Sequence, residues 1–160
     1  MKEGDIFYFK AVNDFYSCGR IITKKKHSIY VVIYKTLFNT FPSEGDVENI
    51  LCDEVIIVGR TFDILFKNGS WKVLASIKGN FPSNIFPFYK IETNNGVFIT
   101  DFNGDSIRKA SNAEEDFYFF YNEYSPAAIV NGVKAFYGLI IMDDYYKKMT
   151  YEFVQKRTKI

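Results

Sequence analysis

The sequence predicts an α+β fold that is mostly β: antiparallel meanders forming a curled sheet or open barrel, completed by a C-terminal amphipathic helix. Two observations carry that expectation. Short apolar runs rich in β-branched and aromatic residues recur as far as Ala110, separated by turn-forming residues. After Ser125-Pro126 the apolar spacing lengthens to a helical period. At 160 residues the chain can bury a core without disulfides or a structural metal, and no repeat or linker divides it, so one domain, 1–160, is expected.

The first meander comprises Ile6-Phe7-Tyr8-Phe9, then Phe15 to Ile22 interrupted by Gly19-Arg20, then Ile29 to Tyr34. Lys24-Lys25-Lys26-His27 falls between the second and third strands and reads as a solvated hairpin tip rather than a phosphate contact. Lys35 to Asp46, with Asn39, Pro42, Ser43 and Gly45, has loop chemistry. Val47 to Asp53 suits a short helical turn, and Val55 to Val58 a buried strand ended by Gly59. Thr61 to Phe66 fits strand or helix equally. Asn68-Gly69 then turns the chain into Trp71–Ile77, whose odd positions are apolar and whose Trp71 faces the core. Gly79 to Pro87, with two prolines, reads as an irregular crossing.

A second meander follows: Phe88 to Ile91, Val97 to Phe102 and Ser106 to Ala110, joined by Asn94-Asn95-Gly96 and Asn103-Gly104. Ser111 caps a short helical turn carrying Glu114 and Glu115. Ser125 and Pro126 start the main helix, with Ile129, Val133, Phe136 and Ile140 on one face. Gly138 either ends it or is tolerated. Beyond it Met142, Tyr146, Met149 and Phe153 continue the stripe, with Asp143/Lys147, Asp144/Lys148 and Glu152/Lys156 at i,i+4 spacing. Residues 139–160 therefore read as a helical extension.

Chemistry is sparse. With 20 Lys plus Arg against 19 Asp plus Glu, the chain has no general attraction for nucleic acid or anionic membranes. Cys18 and Cys52 stand far apart, His27 is the sole histidine, and no phosphate-binding glycine loop precedes a helix. These features call for no metal, no cofactor and no catalytic residue. The adjacent carboxylates Asp143/Asp144 and Glu114/Glu115/Asp116 read as solvated surface. Asn68-Gly69-Ser70 is a turn. Reduced cysteines, a polar N-terminus and the absence of a long apolar run point to the cytoplasm. Phe117-Tyr118-Phe119-Phe120-Tyr121 is core or partner interface, since acidic residues lead into it where a nucleic-acid platform needs a basic groove.

Taken in order, several landmarks resemble the immunity protein 26 family of bacterial polymorphic toxin and contact-dependent inhibition systems. They are Gly4-Asp5-Ile6-Phe7, Gly19-Arg20-Ile21, Gly69-Ser70-Trp71-Lys72-Val73, Arg108-Lys109-Ala110-Ser111 with Glu114-Glu115, and Tyr124-Ser125-Pro126. The resemblance spans about Gly4 to Gly138. Ala75 stands where a glycine is expected, Asn131 where an acid is frequent, and Leu139 to Ile160 runs past the usual end. The resemblance implies a non-catalytic cytoplasmic protein that binds the C-terminal domain of a cognate toxin, one to one, and blocks it.

The glycines and Trp71 among the shared landmarks are scaffold residues, so partner contacts are expected away from them. A nuclease toxin would present a basic cleft, which makes Glu114, Glu115, Asp116, Tyr118, Tyr121, Asp143 and Asp144 the candidate contacts. Two other readings stay open: a small β-barrel, ligand-binding or enzymatic, with an aromatic-lined pocket, and a homo-oligomer formed through the C-terminal helix.

Overall fold

In a computed structural model, which describes residues 1–79 and 86–158, two antiparallel sheets pack together with six short helices. The larger sheet holds β1 (Asp5–Val12), β2 (Phe15–Lys25), β3 (Ser28–Phe38), β4 (Val55–Phe62) and β5 (Trp71–Ser76), in the order β4-β3-β2-β1-β5. The smaller holds β6 (Tyr89–Thr93), β7 (Gly96–Thr100) and β8 (Ser106–Lys109) in sequence order. Among the described residues neither sheet closes on itself.

Both faces of the larger sheet are covered, which is why its strands read as continuous apolar runs rather than strict alternation. One face carries Phe7, Phe9, Ile21, Val31, Ile33 and Trp71 beneath Ile129 and Val133 of α4 (Pro126–Phe136). Trp71 stacks on Phe7 and Phe9 with centroids 4.8 and 5.1 Å apart, and meets the edge of Phe66. The opposite face carries Ile6, Cys18, Tyr30, Val32 and Tyr34. It is covered by Val47 and Ile50 of α1 (Val47–Cys52), by Phe86 and Phe102 flanking the second sheet, and by Val154.

The Gly4-Asp5 landmark is structural. Gly4 has φ +85°, and a Cβ there would sit 2.2 Å from the Ile77 carbonyl oxygen, so only glycine fits. Asp5 is buried and accepts hydrogen bonds from the Lys2 amide and the Ser76 hydroxyl, pinning the start of β1 to the end of β5.

Several expectations need correction. Gly59 does not end β4, which runs on to Phe62. It pairs with Val31, and its missing side chain leaves room for the Tyr124 ring, whose nearest atom would be 3.0 Å from a Cβ. Thr61 and Phe62 are strand and Ile64–Lys67 is α2, while β3 extends into the presumed loop as far as Phe38. In β5, Ile6 pairs with Ala75 but Phe7 with Val73, so Leu74 bulges and the alternation slips: Trp71 is buried, Val73 exposed. Of the crossing at Gly79 to Pro87, residues 80–85 lie outside the described residues.

The C-terminal helix is not continuous. Gly138 has φ +72°, the Leu139 amide donates to the Lys134 carbonyl, and the Gly138 amide donates to Ala135, a Schellman stop for α4. Two short helices follow, α5 (Asp144–Lys147) and α6 (Tyr151–Gln155). Asp143 caps α5 by accepting from the Tyr146 amide at 3.0 Å instead of pairing with Lys147. Of the three expected i,i+4 pairs only Glu152–Lys156 forms among the described residues, at 2.9 Å. Met149 and Tyr146 pack on the core, but Phe136, Ile140 and Met142 face solvent.

Candidate partner-binding surface

After β8 the chain enters α3 (Asn112–Phe117), whose start explains the acidic run. Ser111 and Glu114 form a reciprocal capping box, and the Glu114 carboxylate also accepts both Arg108 Nη groups. The Arg108 hydrogen bonds, then the Ser111 amide, hold the Glu114 carboxyl down at about 2. Glu114 is therefore a buried helix cap rather than a free surface acid.

The segment after α3 joins the two sheets. The Lys90 amide donates to the Phe119 carbonyl and the Tyr121 amide donates back to Lys90, so the segment adds to the β6 edge. Farther on the Tyr124 amide donates to the Arg60 carbonyl on β4. The Val58 amide donates to the Met149 carbonyl, and together these contacts cover the outer edge of β4. The aromatic run thus acts as a strap, with Tyr118 buried, Phe119 half-buried and Phe120 exposed.

Arg60, 2 % exposed, sits under this strap. Its Nε and Nη2 donate to the Phe102 carbonyl at 3.2 and 3.0 Å, and further donors reach Ser28 and Asn103. The rings of Tyr30 and Tyr121 each lie 5.9 Å from its guanidinium carbon. This residue, which the sequence did not single out, ties the second sheet to the first.

The candidate contacts therefore separate into three groups. Glu114 and Tyr118 are buried, Glu115 and Tyr121 are half-buried, and Asp116, Asp143 and Asp144 are exposed. Asp143 and Asp144 adjoin a feature that sequence reading missed, the ridge Leu139-Ile140-Ile141-Met142 that follows the Gly138 stop. All four side chains are exposed, Ile141 by 85 %, and Phe136 and Tyr145 extend the apolar surface on either side. Between this ridge and the β1–β2 hairpin runs a groove of about 550 Å³ lined by Lys10, Asn13, Lys134, Leu139 and Ile140. The signal in the sequence is a run of four apolar residues directly after a helix-ending glycine, and the spacing of that run also fits a continuing helical stripe.

Among the described residues no group of three or more His, Cys, Asp or Glu side chains is placed to hold a metal, and no helix is long and apolar enough to cross a membrane. No curated protein and no solved structure matches the chain. The family model for immunity protein 26 matches residues 2–96, which takes in β1 to β6 and so the whole of the larger sheet. On that match the chain belongs to the immunity protein 26 family, whose members confer immunity to a toxin.

Proposed function

We propose that the protein neutralises a nuclease toxin in the cytoplasm by binding the toxin's C-terminal domain one to one, without catalysis. The observation that carries this reading is the exposed ridge Leu139–Met142 beside Asp143 and Asp144: apolar anchors with an acidic margin. Contiguous exposed apolar surface is costly to a soluble protein unless a partner covers it, and interface energy concentrates in a few such anchors. The carboxylates then oppose the basic cleft of a nuclease, and Glu115, Asp116 and Tyr121 on the strap extend the contact. Glu114 and Tyr118 act from inside, by fixing the strap. The ridge and the strap both lie beyond the residues matched to the family, where partner contacts can differ between members while the larger sheet stays the same.

The test is co-expression with the C-terminal domain of the large secreted protein encoded immediately upstream. The expected result is a stable one-to-one complex and restored growth. Separate elution with no rescue refutes the pairing. A complex that leaves nuclease activity intact refutes the blocking mechanism.

A further inference from the structure

Between the strap and the C-terminal helices lies a partly enclosed cavity of about 100 Å³. Its apolar wall includes Phe88, Tyr89, Phe119 and Phe120, and Lys148 and Arg157 line it from the helical side. The Arg157 guanidinium carbon lies 4.3 Å from the Phe119 ring centroid and 4.2 Å from that of Phe153, while Lys148 Nζ lies 5.5 Å from Phe119. Ring faces attract a cation but offer its N–H groups no strong acceptor. Among the described residues neither side chain has a carboxylate partner, and Arg157 Nε is buried with no acceptor at all.

Two positive charges that lack a carboxylate partner among the described residues, side by side at an aromatic hollow, call for an anion with an apolar stem. The guanidinium edge matches a planar carboxylate, and the hollow is smaller than the ~150 Å³ that accommodates benzene, which limits the stem to a few carbons. We propose that this cavity is a binding site for a short aliphatic carboxylate of the size of propionate. A glutamate side chain has the same chemistry, so the source is a free acid or a carboxylate projected by a bound protein. Only the second case rests on the toxin-binding reading.

The test uses the full chain without toxin, titrated with sodium propionate, propionamide and N-acetylglutamate N-methylamide at constant ionic strength and followed by amide chemical shifts. Propionate is expected to shift the amides of Phe88, Tyr89, Phe119 and Lys148 saturably, with propionamide about tenfold weaker because it lacks the charge. Lys148→Gln and Arg157→Gln each weaken propionate binding by a similar factor, and Lys147→Gln does not. Lys148 is exposed, so its variant keeps the test decisive if Arg157→Gln loses its ring packing and unfolds. Binding of propionate alone assigns a free acid, whereas comparable binding of the capped glutamate assigns a projected side chain. Equal affinity for propionamide, an unaltered Lys148→Gln, or no saturable shift with either acid at tens of millimolar overturns the site.

Discussion

Gly19→Ala offers a test of sign. In a strand interior, replacing glycine by alanine ordinarily stabilises by about 0.5–1 kcal/mol, because glycine loses more freedom on folding. Gly19 has no positive φ to prevent that gain. The obstacle is space: a Cβ would lie 2.6 Å from Phe7 Cζ, 2.7 Å from Ile33 Cδ1 and 2.8 Å from the Val32 carbonyl oxygen. The first two atoms belong to a face packed under Trp71, and the third is backbone of β3, an inner strand of the sheet. Overpacking a rigid core costs about 1–3 kcal/mol, and the upper end applies where backbone is in the way. Subtracting the entropic gain leaves a net loss of about 2 kcal/mol, or about 4–8 °C in Tm for a chain of this length. Urea denaturation at unchanged m-value measures it. Gly45→Ala is the control, since a Cβ there meets only Ser43 Oγ, at 3.6 Å, and should leave stability level or slightly raised. If Gly19→Ala is as stable as the parent, the close approach is not what selects glycine.

Three further outcomes are expected. Glu114 has a depressed carboxyl pKa, so its stabilising contribution is complete above the unfolded value and fades as pH falls toward about 2. The stability gap between parent and Glu114→Gln should therefore be wide at neutral pH and narrow in acid, and a gap that does not change with pH contradicts the assigned ion pair. Burial pushes the Cys18 thiol up to about 12, while Cys52 is exposed, so a thiol reagent at mildly alkaline pH should label one cysteine of the folded protein at once and both after unfolding. Ile141→Ser should leave stability within about 0.5 kcal/mol, yet weaken the toxin complex by about tenfold or more in a direct binding assay.

The first meander was legible because its signal is local: β-branched and aromatic runs between polar turns describe a strand whatever packs against it. The unbroken run Ile29 to Tyr34 also carried the information that both faces would be covered. Part of what stayed hidden depended on partners distant in sequence. Nothing near Gly59 announces that Tyr124 will pack against it, so a glycine required by close approach looked like a strand terminator. Glu114 stands in an acidic run that fits a solvated surface, and its partner Arg108 is only six residues earlier, but the turn from β8 into α3 that brings the two together is not written in either residue. The helical period really does continue past Gly138, but one residue with positive φ and two backbone hydrogen bonds outweigh it. The cost of that misreading was functional, because a continuous helix would have buried the stripe that instead emerges as the ridge.

The division between scaffold and contact surface follows from how the larger sheet is used. Both of its faces are committed to core, and its β4 edge is occupied by the Tyr124 and Met149 connections. A partner therefore has little of that sheet to grip without unpacking Trp71 or Tyr30. On the proposed reading, the surface left for recognition is contributed by what the chain adds afterwards: the strap, the ridge and the two short terminal helices. These elements meet the sheet through Arg60, Tyr124, Met149 and Val154 among others, so the exposed side chains between those points can change without disturbing Gly4, Gly19 or Trp71. The residues that make the chain recognisable as a family member are for that reason a poor guide to which toxin it binds, and interface mutagenesis belongs first on Leu139 to Asp144.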